Sequence, residues 1–361
     1  MWRRFVLASD VMQVFAAMAP DMPLIQVPAY AKRIEGLGFD GVHIAETIHD
    51  SLAAALLAAE HTSTLTIRTA VSLAFVRSPM LTAYSAWDLA IVSGGRFELG
   101  LGTQIKQNIE GRFGMPWSEP RARMAEYVAA LEAIFAAFRS GGSVHYEGDV
   151  YRITRLQPYF NPGPENIDPP RIWLGAVNAG MCELAGRVAD GVVTHSTNSD
   201  PEYLRSVVQP ALSRGAEHAG RSRKPRIIAS TAIASGATDE LVAQDRERQR
   251  RMLAFLLATP SYATALKRRG WSGLADELRT VTKQQRWHDL SAVLTDEVLD
   301  ELVTSGRYDQ LPDLLRAKYS GVADGVVLPP VSDIDGDIGD SALGACVRDL
   351  QNHHDAAPDT T

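Results

Sequence analysis

Apolar runs of strand length alternate along the whole chain with segments in which apolar residues recur at helical spacing. This alternation is the pattern expected of a parallel sheet covered by helices. Eight segments are predicted to be strands: 4–8, 40–45, 66–71, 96–101, 171–176, 190–194, 226–233 and 324–328. The fold class is therefore α/β.

Four of the predicted strands begin with a similar turn. The segments are GFDGVHI (38–44), GGRFELG (94–100), VADGVVT (188–194) and VADGVVL (322–328), which contain strands two, four, six and eight. In each, a helix ends, a glycine or an acidic residue turns the chain, and a short apolar run enters the core. Recurrence on every second strand favours a closed barrel over an open doubly wound sheet. We therefore predict a single (β/α)8 TIM barrel over residues 1–361.

Helix boundaries and insertions complete this prediction. Asp50 is expected to cap the helix SLAAALLAAEH, and Gly141-Gly142 to end the helix that contains RMAEYVAALEAIFAAF. Three insertions depart from the repeat: a polar and aromatic loop at 103–123, a hairpin with a Pro-rich crossing at 143–170, and a helical excursion at 259–320. Residues 353–361 read as a polar tail. Insertions at the C-terminal ends of barrel strands usually build the active site.

Composition excludes several kinds of partner. The 361 residues carry a formal net charge of -7, which leaves no broad basic surface for phosphate backbones or anionic lipid. No apolar run approaches the ~20 residues that a membrane-spanning helix needs. Cys182 and Cys346 lie far apart in predicted helices and are expected to be reduced, buried packing residues. We expect a cytoplasmic protein that binds neither nucleic acid nor membranes.

The sharpest local signal is Gly100-Leu101-Gly102-Thr103, at the end of strand four. The two glycines let the backbone approach a flat ring or a phosphate closely, although a plain turn explains them equally well. The segment lacks the third glycine and the helix of a dinucleotide-binding fingerprint. Metal-binding histidine pairs, nucleophile elbows, P-loops and C-x-x-C pairs are absent from the sequence. The chemistry is therefore predicted to come from a bound organic cofactor, with no metal.

Loops that follow other strands supply further candidates. After strand two, Glu46 and His49 put an acid and an imidazole near the barrel mouth, or His49 is merely exposed beside the capping Asp50. Ser72 and its small neighbours follow strand three, where a planar ring could lie, or they continue a plain core strand. The loops at 175–180 and 194–199 offer backbone N–H groups to a phosphate, or simply cap the next helices.

Other polar and aromatic residues lie in the insertions. A substrate cleft for an electron-poor or anionic organic molecule could use Lys106, Arg112, Trp117, Trp271, Arg286 and Trp287. The run DRERQRR (245–251) is predicted to be a solvated helix face. His43 is expected to be a core histidine rather than a ligand.

Six segments together resemble the luciferase-like monooxygenase superfamily. They are LGFDGVHIAETIHD, TAVSLAFVRSPM, SGGRFELGLGTQIK, the FGMPW loop, the FNPGP crossing and ELAGRVADGVV. They look closest to the actinobacterial branch that uses the deazaflavin coenzyme F420. The resemblance covers most of the chain and is strongest from about residue 36 to residue 200.

This resemblance implies a bacterial-luciferase-like barrel, often dimeric, with the cofactor ring at the C-terminal mouth and its phosphate over helices five and six. Ala70-Val71 falls where relatives often carry a non-prolyl cis peptide behind the ring, and Gly102, Thr103 and Ser72 lie nearby. Asn108 matches a polar contact to the cofactor. The tail-binding loops correspond to Ala176, Val177, Asn178, Thr194, His195 and Ser196.

Two departures limit what the resemblance implies about catalysis. Thr47 follows Glu46 where many members have a catalytic histidine, and Ile105 replaces the acidic proton donor of the family's sugar-phosphate dehydrogenases. We therefore expect a different activity, with Glu46 or His49 moving a proton and Lys106 as an electrostatic alternative.

The function predicted from these observations is hydride transfer between F420 and a small organic substrate, such as an electron-poor aromatic, a carbonyl compound or an alcohol. The alternatives are an FMN-dependent monooxygenase and a non-catalytic cofactor-binding protein of the same fold.

Overall fold

The computed structural model describes residues 12–259, 262–331 and 336–352. In chain order the strands are β1 (Gln13–Ala17), β2 (Gly41–Ile44), β3 (Thr66–Thr69), β4 (Ser72–Leu73), β5 (Phe97–Gly102), β6 (Tyr146–Glu147), β7 (Arg152–Ile153), β8 (Arg171–Gly175), β9 (Gly191–Val193), β10 (Arg226–Ala229), β11 (Ile233–Gly236), β12 (Thr304–Arg307) and β13 (Gly325–Leu328). Parallel pairing runs β1–β2–β3–β5–β8–β9–β10–β13 and returns to β1. This closed eight-stranded sheet confirms the predicted (β/α)8 barrel.

Helices cover the outside of the barrel and fill the excursion before β13. They are α1 (Val27–Gly36), α2 (Ser51–Glu60), α3 (Pro79–Val92), α4 (Lys106–Gly111), α5 (Pro120–Ser140), α6 (Ala179–Val188), α7 (Pro201–Tyr203), α8 (Gln209–His218), α9 (Asp239–Leu257), α10 (Ala263–Arg268), α11 (Ser272–Lys283), α12 (Asp296–Leu302), α13 (Leu311–Tyr319) and α14 (Gly336–Gln351). Asp50 caps α2 by accepting from the Leu52 N–H at 2.8 Å, and Gly141 ends α5 with φ +65°, as predicted. No helix in the described ranges is both long and apolar enough to cross a membrane.

The recurring Asp-Gly turn has a common structural role. Asp40, Asp190 and Asp324 each accept a hydrogen bond from the backbone N–H near the start of the preceding barrel strand. The donors are Val14 at 2.8 Å, Ile172 at 3.1 Å and Ile227 at 2.7 Å. Each carboxylate therefore ties an even-numbered barrel strand to its odd-numbered neighbour, which explains why the motif recurs on alternate strands.

The glycines of these turns are required by close packing inside the barrel. A Cβ on Gly41 would lie 2.6 Å from the Thr66 carbonyl oxygen, and one on Gly191 would lie 2.3 Å from the Arg226 carbonyl oxygen. Any side chain at these positions would collide with the neighbouring strand. The fourth strand of the barrel, β5, begins at Phe97; it lacks the Asp-Gly pair and keeps only the glycine turn before it.

Two strand predictions need correction. The segment 4–8 lies outside the described residues, and the first barrel strand is β1 at Gln13–Ala17. The segment 226–233 contains parts of two strands. The barrel strand β10 ends at Ala229, and β11, which begins at Ile233, pairs with β12 in a separate small sheet. The tail 353–361 also lies outside the described residues.

A charged pair lies inside the barrel among aromatic rings. The Arg68 guanidinium, only 1% exposed, donates to Glu98 Oε2 at 2.7 and 2.5 Å and to His43 Nε2 at 2.9 Å. It also lies 3.8 Å from the Trp173 ring centroid and 4.3 Å from that of Phe15. Burial lowers the pKa of His43 well below its usual value, so His43 is the neutral core residue that the sequence predicts.

The insertions differ in where they lead. The predicted hairpin is present as β6 and β7, but it packs beside α5, where Glu126 accepts from the Val150 N–H at 2.9 Å. The excursion before β13 has its own apolar cluster, which joins α9, α11 and α12 to β11 through Leu253, Leu278 and Leu299. Tyr262 of the excursion lines the cavity at the barrel mouth, and no residue of the segment 143–170 does.

Candidate active site

A cavity of about 590 Å³ opens at the C-terminal ends of the barrel strands. Side chains of a strand alternate between the two faces of the sheet, so every second residue points into the barrel. Bulky inward side chains fill the middle of the barrel. The next inward position towards the C-terminal end of each barrel strand gives eight residues: Ala17, Ala45, Ala70, Gly102, Gly175, His195, Ser230 and Pro329. All eight line the cavity.

We call these eight positions the top layer. The layer below contains bulky groups, among them Phe15, His43, Arg68, Trp173 and Ile228. The top layer consists almost entirely of small residues, so the barrel interior is filled at one level and open at the next. His195 is the only member of the top layer with a titratable side chain.

One wall of the cavity is formed by the ends of β3, β5 and β8. The peptide bond between Ala70 and Val71 is cis, as the resemblance implies. A Cβ on Gly102 would lie 2.4 Å from Val71 Cγ2, and one on Gly100 would lie 1.9 Å from the Thr69 carbonyl oxygen. The glycines are therefore needed first for strand packing. Gly102 and Thr103 also face the cavity, so a ligand can approach the backbone here.

Glu46 lies on the cavity wall, but its carboxylate is occupied by the protein. It accepts from Arg77 Nη1 at 2.7 and 2.9 Å, from the Leu73 N–H at 2.9 Å and from Ser51 Oγ at 3.3 Å. Arg77 also donates to Asp50 at 2.8 Å. These contacts anchor the segment that follows Val71, so Glu46 holds the wall in place.

The neighbouring candidates after β2 turn away from the cavity. The Thr47 hydroxyl donates to the Pro20 carbonyl oxygen at 2.6 Å, and Arg112 donates to the Thr47 carbonyl oxygen at the short distance of 2.5 Å. His49 is half-buried just before α2 and is not among the residues that line the cavity.

The loops after β8 and β9 are joined by a chain of hydrogen bonds. His195 Nδ1 lies 2.9 Å from Thr197 Oγ1, which donates to Asn198 Oδ1 at 2.9 Å. Asn198 Nδ2 in turn donates to the Val177 carbonyl oxygen at 3.0 Å. The His195 ring also stacks parallel to Tyr262, with ring centroids 4.6 Å apart. Burial lowers the pKa of His195 to about 4, so the imidazole is neutral near pH 7.

The predicted site residues divide into two groups. The cavity brings together Glu46, Ala70, Val71, Gly102, Thr103, Ala176, Val177, Thr194, His195 and Ser196. The residues that lie outside its walls are Thr47, His49, Ser72, Asn108, Asn178, Lys106, Trp117, Arg286 and Trp287.

Local contacts explain most of the second group. The Ser72 hydroxyl is buried against Ser51 Oγ at 2.6 Å, and Asn178 caps α6 by accepting from Met181 N–H at 3.0 Å. Trp117 packs on Phe75 with ring centroids 5.9 Å apart.

The charged and surface members of that group have other roles. Lys106 pairs with Glu110 at 3.9 Å on the surface of α4, where Asn108 also lies. Arg286 pairs with Asp289, and Trp287 is exposed beside it, so the excursion does not bring these two residues to the mouth.

The sequence missed the contribution of α9. Arg248, Gln249 and Met252 line the cavity together with Tyr262, which precedes α10. The prediction that 245–251 is a solvated helix face is wrong for Gln249, which is only 5% exposed. Gln249, Leu253 and Leu257 are spaced four residues apart and are all buried, so helical spacing was the signal that could have found it.

Comparisons with known proteins agree with this arrangement. A model of the family described as Luciferase-like monooxygenase matches residues 8–325. The chain belongs to this family. Membership makes this luciferase-like protein an oxidoreductase, as the sequence predicts.

Two relatives and one solved structure illustrate the match. An uncharacterised protein of Mycobacterium tuberculosis is 40% identical over 82% of this chain and 87% of its own length. A 5,10-methylenetetrahydromethanopterin reductase of Archaeoglobus fulgidus is 28% identical over 86% of this chain and 92% of its own length. The coenzyme F420 dependent tetrahydromethanopterin reductase from Methanopyrus kandleri has a TM-score of 0.76 at 19% identity, covering 93% of this chain and 97% of its own. At that identity the structural match bears on the fold alone.

Proposed function

We propose that this luciferase-like protein is an F420-dependent oxidoreductase that moves a hydride between the deazaflavin and a small organic substrate. The observation that carries the proposal is the top layer, whose small residues leave an open cavity beside Ala70 and Val71. Two of the segments that carry the resemblance, TAVSLAFVRSPM and SGGRFELGLGTQIK, contribute residues to this wall. The 28% identical reductase of Archaeoglobus fulgidus adds support, because its name describes a reduction.

The residues present fit a planar ring that carries a phosphate-bearing tail. Ala70, Val71 and Gly102 form a wall of small side chains against which a ring can lie. The tail is assigned to the loops after β8 and β9 and to the N-terminus of α6, whose backbone N–H groups favour an anion. Arg121 lies at that terminus, with Nη1 3.2 Å from where a Cβ on Gly180 would be. A guanidinium at this place would add a charge-assisted bond to a phosphate.

When bound, the deazaflavin supplies the hydride-accepting or hydride-donating centre. The chain binds both molecules in one cavity, orients them and excludes water from the space between them. We assign proton transfer to His195 because it is the top-layer residue with a titratable group. Its Nδ1 is held by Thr197, and its Nε2 makes no hydrogen bond within the described residues. For an alcohol substrate, His195 would accept the hydroxyl proton at Nε2, so that the O–H bond breaks and an Nε2–H bond forms, and the bound deazaflavin would supply the hydride acceptor.

Glu46 is assigned a positioning role in this proposal, since its carboxylate is bound to Arg77 and to the Leu73 N–H. Thr47 and His49 remain predictions from the sequence. Lys106 is too exposed on α4 to be preferred as an electrostatic group.

The test is a cofactor titration followed by a turnover assay. Purified protein is titrated with F420 and with FMN, and binding is followed by fluorescence quenching. The proposal expects F420 to bind at least about tenfold more tightly than FMN, and reduced F420 to be oxidised by a member of a panel of carbonyl, imine and nitroaromatic compounds. Preferential FMN binding with oxygen-dependent turnover would establish the FMN-dependent monooxygenase instead. Tight F420 binding with no turnover of any panel member would support the non-catalytic cofactor-binding protein.

Two further assignments accompany the proposal. A cytoplasmic protein is supported by the two cysteines, which are buried and free. A homodimer is supported by the outer faces of α2 and α3, where Leu56, Leu81, Ile91 and Val92 are exposed although apolar. A second copy of the chain is the assigned occupant, and light scattering after size-exclusion chromatography tests it. A monomer at micromolar concentration would contradict the assignment.

A further inference from the structure

Gln249 is an unusual residue for its position on α9. Polar neighbours on this helix form ion pairs at the surface, including Arg246 with Asp300 at 2.8 Å and Arg248 with Asp245 at 2.6 Å. Gln249 instead turns inward and is 5% exposed. Its carbonyl oxygen Oε1 is buried without a hydrogen-bond partner, and its amino group donates to none of the described residues.

An unpaired buried carboxamide weakens the folded state. Leaving such a group unsatisfied lowers the stability of the folded state, whereas an apolar side chain of similar volume would carry no such penalty. Leu253 and Leu257 occupy the next inward positions of α9 and pack in the apolar cluster of the excursion. The fold alone therefore favours a residue such as methionine at 249, and the presence of an unpaired amide oxygen at the cavity wall points to a ligand.

The surroundings of Gln249 define the shape of that ligand. Met252 lies one turn further along α9 and lines the same cavity, together with the stacked rings of His195 and Tyr262. In the closed order of the barrel, β3 and β5 lie opposite β10 and β13, and α9 packs against β11 and the loop after β9. The small-residue wall at Ala70 and Gly102, to which the proposed function assigns the cofactor ring, is therefore on the other side of the cavity. A second planar molecule stacked on the cofactor ring would lie between the two walls.

The chemistry of a carboxamide defines the polar edge of the ligand. Its C=O accepts and its NH₂ donates in one plane, and rotation about the last side-chain bond exchanges the two ends. One complement with both groups side by side is a lactam edge, in which a ring N–H stands next to a ring C=O; glutamine makes paired in-plane bonds of the same geometry with the amino and ring-nitrogen edge of adenine. A simple ketone or alcohol would leave half of the amide unpaired.

We propose that Gln249 is a specificity-determining residue that recognises the substrate, and that the substrate is a planar nitrogen heterocycle with a lactam edge. The proposal rests on the proposed function for the placement of the cofactor. A lactam edge could come from the substrate or from the cofactor itself. We assign it to the substrate because Gln249 stands across the cavity from the wall that takes the cofactor ring.

The test compares wild type, Gln249→Met and the control Gln244→Met, in which an exposed glutamine of the same helix receives the same substitution. The probes are F420, an alkylated pterin, and that pterin methylated on its lactam nitrogen; the pterins are titrated into protein with and without F420. We expect Gln249→Met to bind F420 like wild type but to bind the pterin about tenfold more weakly. Wild type should also lose about tenfold in affinity for the methylated pterin, and Gln249→Met should not distinguish the two pterins.

Stability gives a readout that needs no ligand. Because Gln249→Met removes an unpaired amide, its melting temperature should equal or exceed that of wild type. A clear drop would show that the amide has a protein partner and would overturn the proposal. Equal affinity of wild type for both pterins would also overturn it, and weaker F420 binding by Gln249→Met would move the lactam contact to the cofactor. Failure of wild type to bind F420 or FMN would instead contradict the proposed function. The two failures can be told apart, because the pterin comparison in cofactor-free protein still tests Gln249.

Discussion

Replacing Glu46 tests whether this residue holds the cavity wall or transfers a proton. Glu46→Ala leaves the Leu73 N–H without its acceptor and removes one of the two carboxylates that bind Arg77, although Asp50 remains at 2.8 Å. An unsatisfied buried N–H costs about 1–3 kcal/mol, and a weakened, partly buried ion pair adds a similar amount. We therefore expect Glu46→Ala to lower the free energy of unfolding by about 2–5 kcal/mol.

Glu46→Gln separates the two roles. Its amide oxygen still accepts from one donor but carries no charge, so the expected loss is smaller, about 1–2 kcal/mol. Both variants should bind F420 more weakly, because Leu73 follows the wall segment at Ala70-Val71. Urea unfolding followed by tryptophan fluorescence gives the stabilities, and fluorescence quenching gives the affinities. Glu60→Ala, at the exposed end of α2, is the matched control.

Two results would refute this reasoning. If Glu46→Ala unfolds at the same urea concentration as wild type and Glu60→Ala, the contacts of Glu46 do not stabilise the wall. If Glu46→Gln keeps its stability and F420 affinity but loses turnover, Glu46 is the proton-transfer residue that the sequence suggested.

Three further substitutions test other parts of the structure. Gly102→Ala should weaken F420 binding by about tenfold or more because its Cβ would lie 2.4 Å from a valine of the wall, whereas Gly111→Ala, with nothing within 4 Å, should leave quenching titrations unchanged. The pKa of His195 falls from 6.5 to about 4 on folding, so its contribution to stability is complete above pH 6.5 and is lost as the pH drops towards 4. Between pH 6.5 and pH 4 the wild type should lose up to about 3 kcal/mol of unfolding free energy through this group, and His195→Gln should not show that loss when urea unfolding is measured across the range. An unchanged pH profile would count against the burial of the imidazole. Glu98→Met should cost about 3–5 kcal/mol by leaving the Arg68 charge buried and unpaired, and the double variant with Arg68→Met should recover most of it in the same unfolding assay; equal losses in the single and double variants would contradict this.

The barrel was predictable because its strongest signal reflects a repeated contact. Asp40, Asp190 and Asp324 each serve one strand pair, so the same dipeptide recurs wherever that contact is needed. The first strand was misplaced because 4–8 and 13–17 are both short apolar runs near one end of the chain, and only pairing with β2 and β13 distinguishes them. The strand at 226–233 was merged because periodicity does not show where a chain leaves one sheet for another.

The site residues at the ends of barrel strands were predictable from the sequence, whereas those in and beside the helical excursion were not. Top-layer positions such as Gly102 and His195 lie at the end of a barrel strand or within two residues of it, so strand predictions already point to them. Arg286 and Trp287 were chosen by residue type alone, and the path of the excursion puts them at its surface. Gln249 was missed because it lies within the charged run 245–251, which was interpreted as wholly exposed. Its four-residue spacing to Leu253 and Leu257 indicates that it points inward.

The top layer has a consequence for how this protein can change. The cavity exists because seven of the eight top-layer residues have small side chains. Its size therefore depends on the side chains at the strand ends more than on the length of any loop. Adding one or two methyl groups at Ala17, Ala45 or Ser230 would reshape the chamber in small steps without touching His195 or the tail-binding loops. Substitutions in the top layer, whether natural or introduced in the laboratory, can therefore change which molecules the cavity accepts without altering the packed interior of the barrel.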